Sequence, residues 1–278
     1  MEFYCSIYLS AVLFVALLTC SRGAQQPSFD QNYQIIWGYD HVARFDGGSR
    51  IQLSIDRSSG SGFRSKLEYF TGFFGMRLKL PPKSAGVATT YYFISNAPRG
   101  VLHEELDFEF LGDKILQTNI FINGVGKREQ RIRFWFDPTA DFHTYKILRN
   151  PHIIVYFVDD IPIRVFKNST KYGLPYPSQP MHIEATMWNA EGWAGGPVNW
   201  SNGPFKAQYE GFGIHGCGSG YGPLGCAAPV LPWNRKGLHQ LSEEQQRAYQ
   251  QVKKKYVFYD YCYDKKRRPE FPIECKLN

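Results

Sequence analysis

The chain alternates. In Arg50-Ile51-Gln52-Leu53-Ser54-Ile55, in Gly75-Met76-Arg77-Leu78-Lys79-Leu80 and in Arg131-Ile132-Arg133-Phe134-Trp135-Phe136, apolar side chains recur at every second position. A β-strand sends successive side chains to opposite faces, so a period of two suits a half-buried strand and not a helix. Turn-forming stretches interrupt the runs: Ser58-Ser59-Gly60-Ser61-Gly62, Pro81-Pro82, Asp137-Pro138 and Asp159-Asp160. The runs 153–158 and 161–166 flank the last of these and predict a hairpin. Many short strands with such breaks predict an all-β antiparallel sandwich or barrel. After about residue 210 the texture changes. Residues 211–225 are glycine-rich, and 242–256 predict the one convincing helix, with Ser242 as N-cap and Glu243 and Glu244 in the first turn.

The two ends carry other information. Residues 7–18 are an almost unbroken apolar run, too short to span a bilayer and placed where a secretory leader belongs. Ser21 and Gly23 suit a cut before Ala24, which makes 1–23 the leader. The competing reading is an uncleaved membrane anchor. No later apolar stretch approaches a span, so the mature chain is expected to be soluble, secreted and without a membrane partner. Of six cysteines, Cys5 and Cys20 leave with the leader. Cys217, Cys226, Cys262 and Cys275 remain, and four cysteines allow three pairings. The local pairs Cys217–Cys226 and Cys262–Cys275 close the shortest loops and are the expectation. A zinc site would lack CxxC spacing, and secretion favours disulfides. The net charge is +7, and losing Glu2 and Arg22 leaves it there. A secreted chain seldom meets nucleic acid, so a polyanionic wall matrix is the better partner, with plain solubility an equal alternative.

The stretch His103-Glu104-Glu105-Leu106-Asp107-Phe108-Glu109-Phe110 concentrates the chemistry. Leu106, Phe108 and Phe110 share one face, with Leu102 loosely following; Glu105, Asp107 and Glu109 share the other. Three like charges in a row repel. The plain alternative is a solvated acidic face. A catalytic reason also exists: residues four apart on a strand have Cα atoms roughly 13 Å apart, and leaning Glu side chains shorten that toward the ~5–5.5 Å carboxyl spacing of retaining glycosidases. Asp107 between them, through its charge or a shared proton, helps hold Glu109 protonated while Glu105 stays ionised. Gln117 and Asn119 alternate on one face of the next strand, either as sugar-binding amides or as a ladder within the sheet. Trp188 and Trp193 offer flat faces to pyranose rings, and Gly192, Gly195 and Gly196 place them on an exposed loop rather than in a core.

The stretch from His103 to Gly112 resembles the H-D-E-I-D-F-E-F-L-G motif of the plant xyloglucan endotransglucosylase/hydrolase family, within the lichenase-like clan of β-jelly-roll glycosidases. Further similar stretches cover nearly all of the mature chain: 28–33, 58–63, 116–119, 135–139, 142–145, 158–164 and 259–262. The resemblance implies a concanavalin-like jelly-roll sandwich over 24–205 and a disulfide-stapled extension with a helix over 206–278. It implies Glu105 as nucleophile, Glu109 as acid/base and Asp107 as helper. It also implies glucan contacts at Glu109, Gln117, Thr118 and Asn119, at Lys127, Arg128 and Glu129, at Gly192, Trp193 and Gly196, and at Arg267. No metal or cofactor is needed.

The implied activity is retaining cleavage of xyloglucan and religation onto another chain, by a monomer in the cell wall or apoplast. The family's dedicated hydrolases resemble the transferases but carry a longer loop after the Trp-rich segment; here residues 188–200 are short, which favours transfer. Hydrolysis of xyloglucan or mixed-linkage glucan is the first alternative, and a non-catalytic, lectin-like glucan binder is the second. Three departures stand out: Glu104 for the usual Asp, Asp113-Lys114-Ile115 for a longer loop with a glycosylation sequon, and Gly192 for an acidic residue. Sequons persist at Asn168 and Asn199.

Overall fold

A computed structural model of the chain describes residues 27–96, 101–267 and 269–277. The expected leader, 1–23, lies outside them. Among the described residues, sixteen strands run in chain order. They are β1 (Tyr33–Trp37), β2 (Val42–Phe45), β3 (Arg50–Ile55), β4 (Ser61–Ser65), β5 (Tyr69–Lys79), β6 (Val87–Ser95), β7 (Glu105–Leu111) and β8 (Ile115–Phe121). Then follow β9 (Gln130–Arg133), β10 (His143–Arg149), β11 (Ile153–Val158), β12 (Ile161–Lys167), β13 (Met181–Asn189), β14 (Phe205–Glu210), β15 (Gly216–Gly218) and β16 (Val257–Asp260).

The pairings trace two antiparallel layers. One runs β1-β4-β13-β6-β7-β8-β9-β16. The other runs β2-β3-β14-β5-β10-β11-β12, with β15 also on β5. A single register point, Met181 against Tyr69, joins them. Between the layers lies an aromatic core. Phe108 of β7 meets Tyr145 and Tyr156 edge-on, at centroid distances of 5.7 and 5.1 Å, and Phe110 meets Tyr145 at 4.7 Å. Edge-to-face contacts of this kind add to the burial of large rings, worth roughly 1.5–3 kcal/mol each on area alone.

The alternating runs become strands for the reason given by their pattern. In β3 the even positions, Gln52 and Ser54, face outward, while Ile51, Leu53 and Ile55 are buried. The expected hairpin is β11–β12, turning at Asp159, whose φ of 53° is the left-handed value that Asp tolerates. The run 131–136 is a strand only to Arg133. Beyond it Phe134, Trp135 and Phe136 leave the sheet and pack against the core and Tyr256. Leu102 does not join the inner face of β7; it is 60% exposed.

The C-terminal part is tied to both layers through β15 and β16. Helix Glu243–Lys255 starts at the expected cap, with the Ser242 hydroxyl taking the Gln245 N–H. The cysteines pair locally, Cys217 with Cys226 and Cys262 with Cys275. No helix among the described residues is long and apolar enough to cross a membrane.

Candidate active site

Strand β7 sits inside its layer, between β6 and β8, so both its edges are bonded and its side chains have only two directions. Leu106, Phe108 and Phe110 take the inner one and are fully buried. Glu105, Asp107 and Glu109 take the outer one and line a cavity of about 200 Å³ with Thr90, Tyr92, Ile94, Thr186 and Trp188. Register places Ile94 and Phe121 beside Glu105, Tyr92 and Asn119 beside Asp107, and Thr90 and Gln117 beside Glu109.

The three carboxyls are held differently. Burial raises the Asp107 carboxyl well above the usual range, and the charges of Glu105 and Glu109 raise it further. Its hydrogen bond with Glu105 favours the proton on Asp107 and the charge on Glu105. Both influences favour the protonated over the ionised form of Asp107. Glu105 is itself pushed up by burial, with the Asp107 hydrogen bond and the nearby His103 opposing; His103 Nε2 stands 3.4 Å from its Oε2. Burial pushes Glu109 up to about 7, against a Gln117 hydrogen bond that lowers it.

Gln117 has a fixed orientation. Arg131 Nε donates to its Oε1 at 2.8 Å, and its Nε2 donates to Glu109 Oε2 at 2.7 Å. Arginine has no acceptor, so the amide cannot be reversed. A protonated Glu109 therefore carries its proton on Oε1, since Oε2 is accepting from Gln117. Arg131 in turn lies 5.5 Å from the ring centre of Tyr259 on β16. Glu129, on the stretch leading into β9, accepts from Arg267 Nη1 at 3.2 Å, and Arg267 also reaches the Tyr259 hydroxyl. Glu129, Arg131, Tyr259 and Arg267 thus form one cluster beside Glu109.

Other sequence candidates sit elsewhere. Thr118 turns to the opposite face, fully buried, where Arg164 Nη1 donates to its hydroxyl at 2.9 Å. A side-chain contact to a ligand in the groove is not part of that geometry. Arg128 directs Nη1 to the Val125 carbonyl and Nε to Glu274, which anchors its guanidinium to the protein. Asn119 Oδ1 accepts the Arg128 N–H at 3.0 Å, and Lys127 beside it has a φ of 60°. Trp193 lies on the expected loop, but Trp188 belongs to β13 and not to that loop; each is 37% exposed, and they tilt toward one another at 5.5 Å. Gly192 and Gly196, with φ of 100° and 125°, shape the loop that carries Trp193.

Glu104 points away from Glu105, as alternation requires. It is buried, and its Oε2 accepts the backbone N–H groups of Ser178 and Gln179, each at 2.7 Å. The buried Arg149 closes the same corner through the Gln179 carbonyl. A carboxylate in this position pins the start of β7 to the segment before β13.

Sequence reasoning missed several groove residues. Glu184 on β13 is buried; the Tyr92 hydroxyl donates to its Oε2 at 2.6 Å, and Arg64 of β4 donates to its Oε1. These three come from β4, β6 and β13, and no local pattern connects them. Arg131 was within reach, because it shares the alternating face of Glu129.

Comparison with known proteins agrees with this geometry. Residues 29–204 match the model of glycosyl hydrolases family 16, and residues 228–275 match that of the xyloglucan endo-transglycosylase C-terminus. Xyloglucan endotransglucosylase/hydrolase protein 2 of Arabidopsis thaliana is 48% identical, over 99% of this chain and 98% of its own. Xyloglucan endotransglucosylase protein 2 of Diospyros kaki is 45% identical, over 89% of this chain and 87% of its own. Among solved structures, the β-glucanase of Bacillus licheniformis superposes with a TM-score of 0.56 at 25% identity, covering 64% of this chain and 89% of that one. With a jelly-roll sandwich, three alternating carboxyls in its groove and relatives matched over nearly their full length, the chain belongs to glycosyl hydrolases family 16 and, within it, to the xyloglucan endotransglucosylase/hydrolases.

Proposed function

We propose that this protein is a retaining xyloglucan endotransglucosylase. The carrying observation is the unequal environment of three carboxyls on one strand face. Asp107 keeps a proton and shares it with Glu105, which suits Glu105 to attack the anomeric carbon of a backbone glucose. Glu109, with its pKa at about 7, holds a proton in mildly acidic solution and offers it from Oε1 to the leaving 4-oxygen. The C1–O4 bond breaks as the Glu105–C1 bond forms, leaving a covalent glycosyl-enzyme and an ionised Glu109. Glu109 then takes the proton of an incoming 4-hydroxyl, which displaces Glu105. If the incoming group is another xyloglucan chain, the polymer is religated; if it is water, the chain is cut.

Xyloglucan is the substrate named by the relatives, and the short loop after Trp193 favours transfer over hydrolysis. Gln117, Asn119, Glu129, Trp193 and Arg267 are the groove contacts that the geometry supports best. In this reading residues 24–205 form the catalytic sandwich and 206–278 an extension that brings Tyr259 and Arg267 to the groove. The local disulfides and the apolar run at 7–18 support secretion to the cell wall, as a monomer that binds donor and acceptor chains. Asn199 is exposed, whereas Asn168 is half-buried with its Nδ2 donated to the Pro151 carbonyl at 2.8 Å, which makes Asn199 the better glycan acceptor.

The test is incubation of purified protein with xyloglucan and a labelled xyloglucan oligosaccharide. Label should enter polymer without a matching rise in reducing ends. New reducing ends without incorporation would assign a hydrolase. Neither product, with glucan binding intact, would assign a lectin.

A further inference from the structure

The positive charge of the chain is concentrated. Residues 253–268 hold seven Lys and Arg against two acids, a surplus of five where the whole chain carries +7. Both acids are committed to internal bonds. Asp260 Oδ2 accepts from Gln130 Nε2 at 2.9 Å, and its Oδ1 accepts the Cys262 N–H at 3.0 Å. Asp264 accepts the Tyr259 hydroxyl at 2.8 Å and the backbone N–H groups of Lys266 and Arg267, each at 3.2 Å. Lys254, Lys255, Lys265 and Lys266 are exposed, and among the described residues none of them is in an ion pair.

A surface that served solubility alone would mix both signs. Lysines in the last turn of helix Glu243–Lys255 also complement its dipole, but Lys265 and Lys266 lie in a turn outside any helix. The two pairs flank β16, the last strand of its layer, whose four residues span about 13 Å at ~3.3 Å per residue. That exceeds the ~8 Å screening length of physiological salt, so one small ion cannot serve both pairs. An extended polymer reaches both. Between the pairs stand two exposed rings, Phe258 at 42% and Tyr263 at 70%. The Arg133 guanidinium lies 4.8 Å from the Phe258 ring centre. Flat rings take the C–H faces of pyranoses, and ammonium groups take carboxylates. A sugar polymer that carries its own negative charge meets both demands.

We propose that the surface flanking β16 docks a linear polyuronate, an acidic polysaccharide with one carboxylate on each sugar, and so tethers the protein to an anionic matrix. The neutral glucan of the transfer reaction has no charge for these lysines. The polyuronate is therefore a second partner, and its binding is measured without any transfer.

Calorimetric titration of the purified protein compares an oligogalacturonate with its full methyl ester, the same sugars without the charge. The acid should bind at least about tenfold more tightly, roughly twofold for each of four exposed ion pairs. Salt at about 1 M, where the screening length is ~3 Å, should abolish the difference. The joint variant Lys254→Gln, Lys255→Gln, Lys265→Gln and Lys266→Gln should lose the same factor, with its melting temperature unchanged. A control variant removes equal charge elsewhere, by Gln at the exposed Lys66, Lys171, Lys206 and Lys236, and should keep most of the affinity. Tyr263→Ala should weaken binding further, as loss of a stacking ring does. Equal binding of acid and ester, or equal losses in the two lysine variants, overturns the proposal. So does tighter binding of a single-stranded oligonucleotide of equal charge, whose bases also stack on rings.

Discussion

The two faces of β7 obey opposite rules. The inner face, Leu106, Phe108 and Phe110, is buried against the aromatic rings of the other layer and contributes stability. The outer face, Glu105, Asp107 and Glu109, removes three carboxyls from water beside one another, and burial is the first cause that raises each of them. A face that only had to fold would not gather three acids. The inner face holds the backbone rigid, and that rigidity lets the outer face keep a strained charge arrangement ready for a substrate.

The largest expected effect breaks the outer face alone. Glu105→Ala should lower transfer at least about 10⁴-fold, as removing a nucleophile does elsewhere, while its melting temperature stays level or rises because a buried repulsion is relieved. A large fall in both would mean that the two faces are not separable. Phe108→Ala is the converse. It should cost about 3–5 kcal/mol of stability as a core truncation, measured by denaturant unfolding, with less than about a tenfold change in rate per folded molecule.

Two smaller effects sharpen the outer face. Asp107→Asn retains a hydrogen-bond donor toward Glu105, whereas Asp107→Ala does not. If Asp107 acts in its protonated form, the Asn variant should be about ten times more active than the Ala variant, a difference near 1.4 kcal/mol. Equal activities would assign Asp107 a role as an anion. The pH profile of kcat/KM should lose activity on its alkaline side near 7, where Glu109 gives up its proton. Gln117→Leu removes the bond that lowers that value, so the alkaline limb should move to higher pH. The stability of the fold follows pH in the same direction. A carboxyl raised by folding favours the protonated state, so stability should fall as pH climbs from the ordinary Glu range toward 7, and Glu109→Gln should flatten that slope.

Much of this was legible because it is local. Alternation marked β3, β5 and both faces of β7, since a strand's side-chain geometry depends on the chain's own bond angles. Ser242 marked its helix because its capping partner, Gln245, lies only three residues along the chain. Phe134–Phe136 continued the pattern and yet left the sheet, because three bulky aromatics found burial against Tyr256 and His143 instead of strand partners. Thr118 was read with Gln117 and Asn119, although the same alternation sends it to the other face, toward the buried Arg164. Arg64, Tyr92 and Glu184 had no local signature at all.

The sequence by itself determined that this is an antiparallel β protein, and it marked Glu105, Asp107 and Glu109 as three acids on one strand face, because those facts follow from residue type and spacing; among three possible cysteine pairings it only favoured the local one, which the structure shows. Only the tertiary structure decided which acid keeps its proton. That choice depends on how deeply each is buried and on groups brought from elsewhere: Gln117 and Arg131 at Glu109, and Glu184 near Glu105. Desolvation and charge–charge interaction depend on distance in space, and separation along the chain carries no information about that distance.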